Sequence, residues 1–167
     1  MGFEAAEMEA LALRHRPMVY RRAHGILGNH EDAEEAVQEV FLSLMSGPFS
    51  ARENVTGWLY RITTNYCLGL LRKQKRRHEL YREQVLPMAP FRASVASVED
   101  LGLLRWLLSE ADERQAQAAV YVYLDGLSHE KAAGLMGVSK RTVGNLLERF
   151  AGWAKACTTI NPPPGGG

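Results

Sequence analysis

Features that would place the chain in an oxidising compartment or a membrane are missing. It has only two cysteines, Cys67 and Cys157, which lie far apart and form no CxxC pair. That spacing argues against a disulfide framework and against a structural zinc site. No apolar run approaches the roughly 18 residues of a membrane span, and the acidic N-terminus MGFEAAEMEA lacks the basic and apolar blocks of a signal peptide. We therefore expect a cytoplasmic protein without membrane insertion.

An excess of one charge is also missing. Lys and Arg number 20 and Asp and Glu number 19, so the net charge is +1. This balance excludes a polycation that binds nucleic acid through bulk charge, so any such binding must come from local clusters. Hydrophobic residues make up 46% and charged residues 23% of the 167 residues. That composition predicts a folded core in one ordinary domain or two small ones.

Motifs of catalysis and cofactor binding are absent as well. The five histidines are scattered without an HExxH or His-x-His pattern, and no GxSxG, P-loop or GxGxxG sequence occurs. Cys67 is expected to be buried and inert, because nothing beside it on its helix activates a thiol. We therefore expect no enzyme, no cofactor and no metal site.

Helical periodicity dominates what is present. Residues 4–27 read as a helix ending at Gly28, and a further helix is predicted to begin near Asn54 or Thr56, which are good N-caps. Residues 31–46 show the clearest pattern, since their apolar residues recur at steps of three and four. The members of this apolar stripe are Ala33, Ala36, Val37, Val40, Phe41, Leu44 and Met45.

A change of composition divides the chain. Residues 78–97 contain Pro87, Pro90 and many small residues, and helical patterns resume at about Val98. We predict an all-α fold of two small helical domains joined by a flexible linker. The predicted boundaries are 1–80 for the first domain, 81–97 for the linker, 98–157 for the second domain and 158–167 for a disordered tail.

The segment LDGLSHEKAAGLMGVSKRTVGNLLERF has the spacing of a helix-turn-helix. It contains a short helix, a turn centred on Gly137 and a second helix capped by Ser139. In such a unit the start of the second helix enters the major groove. A plain helical hairpin with a solvated basic start is the alternative. The residues expected to contact DNA are Ser139, Lys140, Arg141, Thr142, Asn145 and Arg149.

Two further segments have charge patterns that favour binding. WLYRITTNYCLGLLRKQKRR combines aromatic and basic residues on one helix, as single-stranded nucleic acid requires. The alternative is that Trp58 packs in the core and that the basic run 72–77 is a solvated helix end. The acidic side of 31–39 is either a solvated face or an interaction surface.

The stretches RPMVYRRAHGILGNHEDAEEAVQEVFLSLM and WLYRITTN with its basic end resemble region two of the extracytoplasmic-function (ECF) sigma factors. The helix-turn-helix segment resembles their region four, and the resemblance covers roughly 15–155. It implies a promoter-specificity subunit of bacterial RNA polymerase. The implied partners are core RNA polymerase, promoter DNA as duplex and melted strand, and an anti-sigma factor.

The resemblance also implies residue roles. Those implied to bind polymerase are Asp32, Glu35, Gln38, Glu39 and Phe41. Those implied to capture an unstacked base of the −10 element are Phe49, Trp58, Arg61 and Asn65. The DNA-binding residues predicted in the basic end are Arg72, Lys73 and Arg76. The helix from Ser139 is implied to read the −35 element.

Several residues depart from the pattern of the family, and among them Lys131 and Ala132 replace a typical Glu-Ile. Gly69 stands where Asp or Asn is usual, and Gly144 and Leu146 stand where Lys or Arg is common. Two other functions stay open at this point. One is a free-standing helix-turn-helix regulator that does not engage polymerase, and the other is a module that binds only a regulatory protein.

Overall fold

The computed structural model describes residues 4–47, 54–84 and 99–160. Within these ranges the chain is helical and no strand occurs, which confirms the all-α prediction. The chain divides into two compact units, Met1–Cys67 and Leu68–Gly167. The helices are α1 (Ala5–Leu27), α2 (His30–Ser46), α3 (Val55–Gln84), α4 (Glu99–Glu110), α5 (Glu113–Ala119), a π-helix (Val120–Leu124), α6 (His129–Met136) and α7 (Lys140–Ile160). None of the described helices has both the length and the hydropathy needed to cross a bilayer.

Local signals end α1 and begin α2. Gly28 adopts a left-handed conformation (φ 84°) and its N–H donates to the carbonyl of His24 at 2.8 Å, which closes α1. Asn29 then caps α2, because its Oδ1 accepts from the N–H of Asp32 at 2.9 Å. The two helices are therefore joined by a connection of two residues, in which a C-cap is followed at once by an N-cap.

The apolar stripe of α2 is buried as predicted, except at one end. Met45 is 63% exposed. At about 100° per residue, Met45 lies about 100° from the centre of the stripe, so it turns away from the core. Phe41 is partly buried against the core cluster. The fully buried members of the stripe are Ala33, Ala36, Val37, Val40 and Leu44.

The core of the first unit joins all three of its helices. A cluster of buried side chains takes Val19 from α1, Val37 and Val40 from α2, and Leu59 from α3. Partly buried apolar residues pack around this cluster, and they include Met18, Tyr20, Phe41, Val55, Trp58 and Ile62. Trp58 thus packs against the core while staying partly exposed, which favours the packing alternative for part of its surface.

A buried arginine connects α1 with α3 beside this core. Arg22 is only 7% exposed. Its Nη2 donates to Oγ1 of Thr64, and its guanidinium carbon lies 3.9 Å from the centroid of the Tyr60 ring. Cys67 on α3 is fully buried, and desolvation raises the pKa of its thiol to about 12. The expectation of an inert thiol agrees with this position.

We expect Arg22→Ala to lower the free energy of unfolding by about 2–4 kcal/mol. The change removes a hydrogen bond donated by a charged group and a cation–π contact, while the hydroxyl of Thr64 still donates to the carbonyl of Tyr60. Arg22→Lys should not restore the stability, because an ammonium lacks the planar guanidinium that stacks on Tyr60. The neighbouring Arg21 is exposed, so Arg21→Ala should change stability by less than about 0.5 kcal/mol. Urea unfolding followed by circular dichroism measures all three, and equal losses for Arg21→Ala and Arg22→Ala would contradict the prediction.

The second unit contains the predicted helix-turn-helix. Ser128 caps α6, since its Oγ accepts from the N–H of Lys131 at 3.2 Å. Gly137 (φ 65°) ends α6 in the left-handed conformation, and Ser139 caps α7 by accepting from the N–H of Thr142 at 3.1 Å. The buried core of this unit includes Leu108, Ala116, Val120, Tyr121, Ala132, Val143, Leu147 and Phe150. Val143, Leu147 and Phe150 therefore form the core-facing side of α7.

Two helices extend beyond their expected ends. α3 continues to Gln84, four residues into the predicted linker 81–97, because 79–84 consists mostly of good helix formers and Pro87 is still three residues away. α7 continues to Ile160, three residues into the predicted tail 158–167, since Pro162 is the first residue that cannot extend it. The rest of both segments lies outside the described residues. The domain boundaries otherwise stay predictions.

Candidate functional site

One side of α3 gathers most of the residues predicted to contact melted DNA. The helix begins at Asn54, whose Oδ1 accepts from the N–H of Thr56 at 3.0 Å. Arg61, Asn65 and Arg76 are exposed. With 3.6 residues per turn, these three, the half-buried Trp58 and Arg72, and the exposed Gly69 fall within about 80° of the helix circumference. We call the set Trp58, Arg61, Asn65, Gly69, Arg72 and Arg76 the α3 face.

The basic end of α3 divides into exposed and engaged residues. Lys73 and Arg76 are exposed, whereas Arg72 is half-buried and its Nη2 is buried without a hydrogen-bond partner. Lys75 forms an ion pair with Glu110 of α4. The predicted DNA-binding residues Lys73 and Arg76 are therefore accessible, and Lys75, which was not among them, is committed elsewhere. Phe49 lies outside the described residues.

The acidic side of α2 contains four of the five residues implied to bind polymerase. Glu35, Gln38 and Glu39 are exposed. Asp32 is half-buried, and its carboxylate accepts from Nδ2 of Asn29 at 2.7 Å. Asp32 thus belongs to the N-terminal cap of the helix as well as to its acidic side. Phe41 lies off this side and packs against the core.

A hydrogen bond orders Glu35 on this surface. The hydroxyl of Tyr66 donates to Oε1 of Glu35 at 3.1 Å. Burial, followed by this hydrogen bond to Glu35, raises the pKa of Tyr66 to about 12. The phenol therefore stays a donor at neutral pH, and it links the acidic side of α2 to α3.

An apolar residue in the middle of the acidic side was missed by the sequence reasoning. Leu42 is 55% exposed, although it follows Gln38 and Glu39 by one helical turn. The signal was available, because an apolar residue at i+3 or i+4 from polar residues falls on their face rather than on the core stripe. We call Glu35, Gln38, Glu39 and Leu42 together the α2 surface.

The start of α7 presents the polar residues expected of a recognition helix. Lys140, Arg141, Asn145 and Arg149 are exposed. Ser139 and Thr142 differ from them, since the two hydroxyls lie 2.9 Å apart and Ser139 also caps the helix.

Leu146 is only 8% exposed and so belongs to the core of the second unit rather than to the DNA-facing side. The half-buried Gly144 has open space around the position of a Cβ. Neither residue supplies a polar group to this helix.

Segments in both halves of the chain match known protein families. Residues 11–77 match the family model of Sigma-70 region 2, and residues 110–153 match that of a homeodomain-like domain. The ECF RNA polymerase sigma factor SigM of Mycobacterium tuberculosis is 34% identical over 143 residues, which cover 84% of this chain and 71% of that protein. The chain belongs to the ECF sigma factors.

Other relatives of this sigma factor agree with the assignment. The ECF RNA polymerase sigma factor SigE of Mycolicibacterium smegmatis is 31% identical over 147 residues, which cover 84% of this chain and 57% of that protein. Among solved structures, the sigma factor RpoE of Bartonella quintana, in complex with the anti-sigma factor NepR, matches with a TM-score of 0.54 and 19% identity. That match covers 93% of this chain and 98% of the other, and it supports the fold.

The region-two match places two of the surfaces of this sigma factor in one family segment. The α2 surface lies wholly within residues 11–77, as does the α3 face up to Arg76. The exposed start of α7 lies within the homeodomain-like match. The predicted site residues that the structure describes therefore lie in three groups, on α2, on α3 and at the start of α7.

Proposed function

We propose that this ECF sigma factor binds core RNA polymerase through the α2 surface, captures a base of the −10 element on the α3 face, and reads the −35 element with the start of α7. The observation that carries this proposal is the presence of two exposed surfaces of different chemistry within the region-two segment, one acidic with an apolar centre and one polar and basic. A free-standing helix-turn-helix regulator requires neither surface. That alternative is not favoured.

Polymerase binding by the α2 surface follows from its composition. Glu35 and Glu39 attract a basic partner, and Leu42 supplies apolar area that is removed from water on docking. The hydrogen bond from Tyr66 fixes one rotamer of Glu35 before binding, which lowers the entropy cost of the contact. Asp32 contributes its charge from the first turn of α2, where it also stabilises the helix.

Base capture by the α3 face requires donors that act on an unstacked base. Taking a base out of the stack costs a few kcal/mol, which contacts on the protein must offset. The amide of Asn65 can hydrogen-bond a base edge, the exposed part of Trp58 offers a stacking surface, and Arg61 attracts the adjacent phosphate. Lys73 and Arg76 continue the positive charge along the helix, where it attracts further phosphates.

Few residues are available to read the −35 element. Replacing them one at a time should therefore distinguish a contact to a base from a contact to a phosphate. We expect Arg141→Ala to reduce transcription and to relax preference at one −35 position, because a bidentate Arg–guanine pair contributes about 1–3 kcal/mol of discrimination. Lys140→Ala should weaken binding evenly across sequences, as loss of a phosphate contact does. A promoter-library transcription assay distinguishes the two. Unchanged output and unchanged preference in both variants would contradict the proposed role of α7.

The remaining parts of the proposal concern partners and location. An anti-sigma factor is a proposed partner, which would cover the exposed surfaces of the free protein. We place the sigma factor in the cytoplasm, where core polymerase is found, and we assign it no catalytic activity and no cofactor.

Run-off transcription tests the whole proposal. The full chain is added to core RNA polymerase with a library of genomic promoter fragments. We expect transcripts from a restricted set of promoters that share −10 and −35 elements, and none without the chain. Specific binding of the chain to duplex DNA without core polymerase, and no promoter-dependent transcript with it, would instead indicate the free-standing regulator.

A further inference from the structure

A glycine occupies the middle of the α3 face without a structural reason in its own surroundings. Gly69 is exposed and lies in the interior of a continuous helix, where glycine is less favourable than alanine. A Cβ built on Gly69 meets no atom within 4 Å, and its φ is not positive. Neither packing nor backbone conformation therefore requires glycine here.

Gly69 lies between two residues that we propose to contact DNA, Asn65 and Arg72. Asn65 precedes it by one turn and Arg72 follows it by one turn, so both flank it on the same side of α3. Nη2 of Arg72 is buried without a hydrogen-bond partner. An acidic side chain at position 69 would pair with Arg72 at i, i+3 and repel phosphate, whereas glycine adds no charge and leaves the helix backbone open to close approach.

We propose that Gly69 is a positioning residue for promoter DNA: its missing side chain leaves a notch that admits a phosphodiester of the melted strand against α3, between Asn65 and Arg72. This inference rests on the proposed function of the α3 face. The notch brings the strand closer to the helix axis than any side chain at position 69 allows. Arg72 then contacts the phosphate, and the adjoining base reaches Asn65.

The test compares two exposed helical glycines, of which Gly69 lies on the α3 face and Gly25 lies in α1. Gly25 in α1 is also exposed and helical, and a Cβ there also meets nothing within 4 Å. Gly69→Ala and Gly25→Ala should both raise the thermal midpoint, because alanine favours the helix in each case. In the holoenzyme, only Gly69→Ala should weaken binding to a fork-junction DNA made from a promoter found by run-off transcription. The expected loss is at least about tenfold, the effect of losing one hydrogen bond to a charged group.

A second measurement identifies the group in the notch. Single phosphates of the fork-junction strand are replaced one at a time by uncharged methylphosphonates. One replacement should weaken binding of the wild-type holoenzyme by about tenfold and should have little further effect on Gly69→Ala, because the two changes remove the same contact. Affinity for core polymerase should be the same for wild type and both variants.

The outcomes separate the inference from the function on which it rests. Full DNA binding by Gly69→Ala overturns the notch, as does an equal loss in Gly25→Ala, which would point to helix stiffness. Additive effects of Gly69→Ala and every methylphosphonate also overturn it. A wild-type holoenzyme that opens no promoter overturns the proposed function itself, and that result is visible before any variant is made.

Discussion

Glu35→Lys combined with Glu39→Lys should weaken binding of the sigma factor to core RNA polymerase by at least about tenfold. Both carboxylates are exposed on the α2 surface beside Leu42. Reversing them turns attraction of a basic partner into repulsion, and like charges brought together at an interface cost several kcal/mol. Helical content should not change, because neither residue lies in the core stripe of α2. Fluorescence titration of labelled chain against core polymerase measures the affinity.

The choice of residues and controls follows from the structure. Asp32 is left in place because its carboxylate accepts from Asn29 in the cap, so its reversal would lower helix stability as well as binding. Glu9→Lys with Glu148→Lys changes the net charge equally at exposed positions of other helices and should leave core affinity intact. Tyr66→Phe is a further control, because it removes the hydrogen bond to Glu35 without reversing any charge. Unaltered affinity in the double reversal would exclude the α2 surface as the docking site.

Asn65→Ala should reduce open-complex formation by about tenfold or more while leaving initial promoter binding nearly unchanged. Asn65 is exposed on the α3 face, and the proposed contact forms only after a base has left the stack. Loss of a good contact to a base edge costs about 1–3 kcal/mol, which here falls on the melted state alone. Permanganate reactivity of promoter thymines reports melting, and a mobility shift in the presence of core polymerase reports initial binding.

Asn145→Ala provides the matched comparison. It removes the same side chain from the exposed start of α7, where the proposed contact is with duplex DNA. It should weaken initial binding and leave the melted fraction of bound promoters unchanged. Equal thymine reactivity for wild type and Asn65→Ala would argue against base capture by the α3 face.

Helix boundaries set by local chemistry could be predicted from the sequence. Asn54, Ser128 and Ser139 cap helices through hydrogen bonds to N–H groups two or three residues away. Gly137 ends α6 because it alone at that point accepts a positive φ without strain. Each signal and its effect lie within a few residues of one another. The ends of α3 and α7 were predicted too early, because residues 81–84 and 158–160 contain no proline and continue the helices.

Long-range partnerships could not be predicted. Arg22 reads as a surface cation in the sequence, and its burial depends on Tyr60 and Thr64, which lie about forty residues away in the chain. Leu146 stands at a position where Lys or Arg is common in the family. In the structure this residue is buried in the core of the second unit. The partners of Arg22 come from another helix, and a periodic pattern within one helix carries no information about them.

The continuity of α3 fixes distances along the bound promoter. From Arg61 to Arg76 the helix rises about 22 Å at 1.5 Å per residue. A hydrogen-bonded helix does not stretch. In the proposed complex, the captured base and the phosphates near Arg76 are therefore held at a set separation, and a promoter with one nucleotide inserted between them must bulge or forgo one of the two contacts.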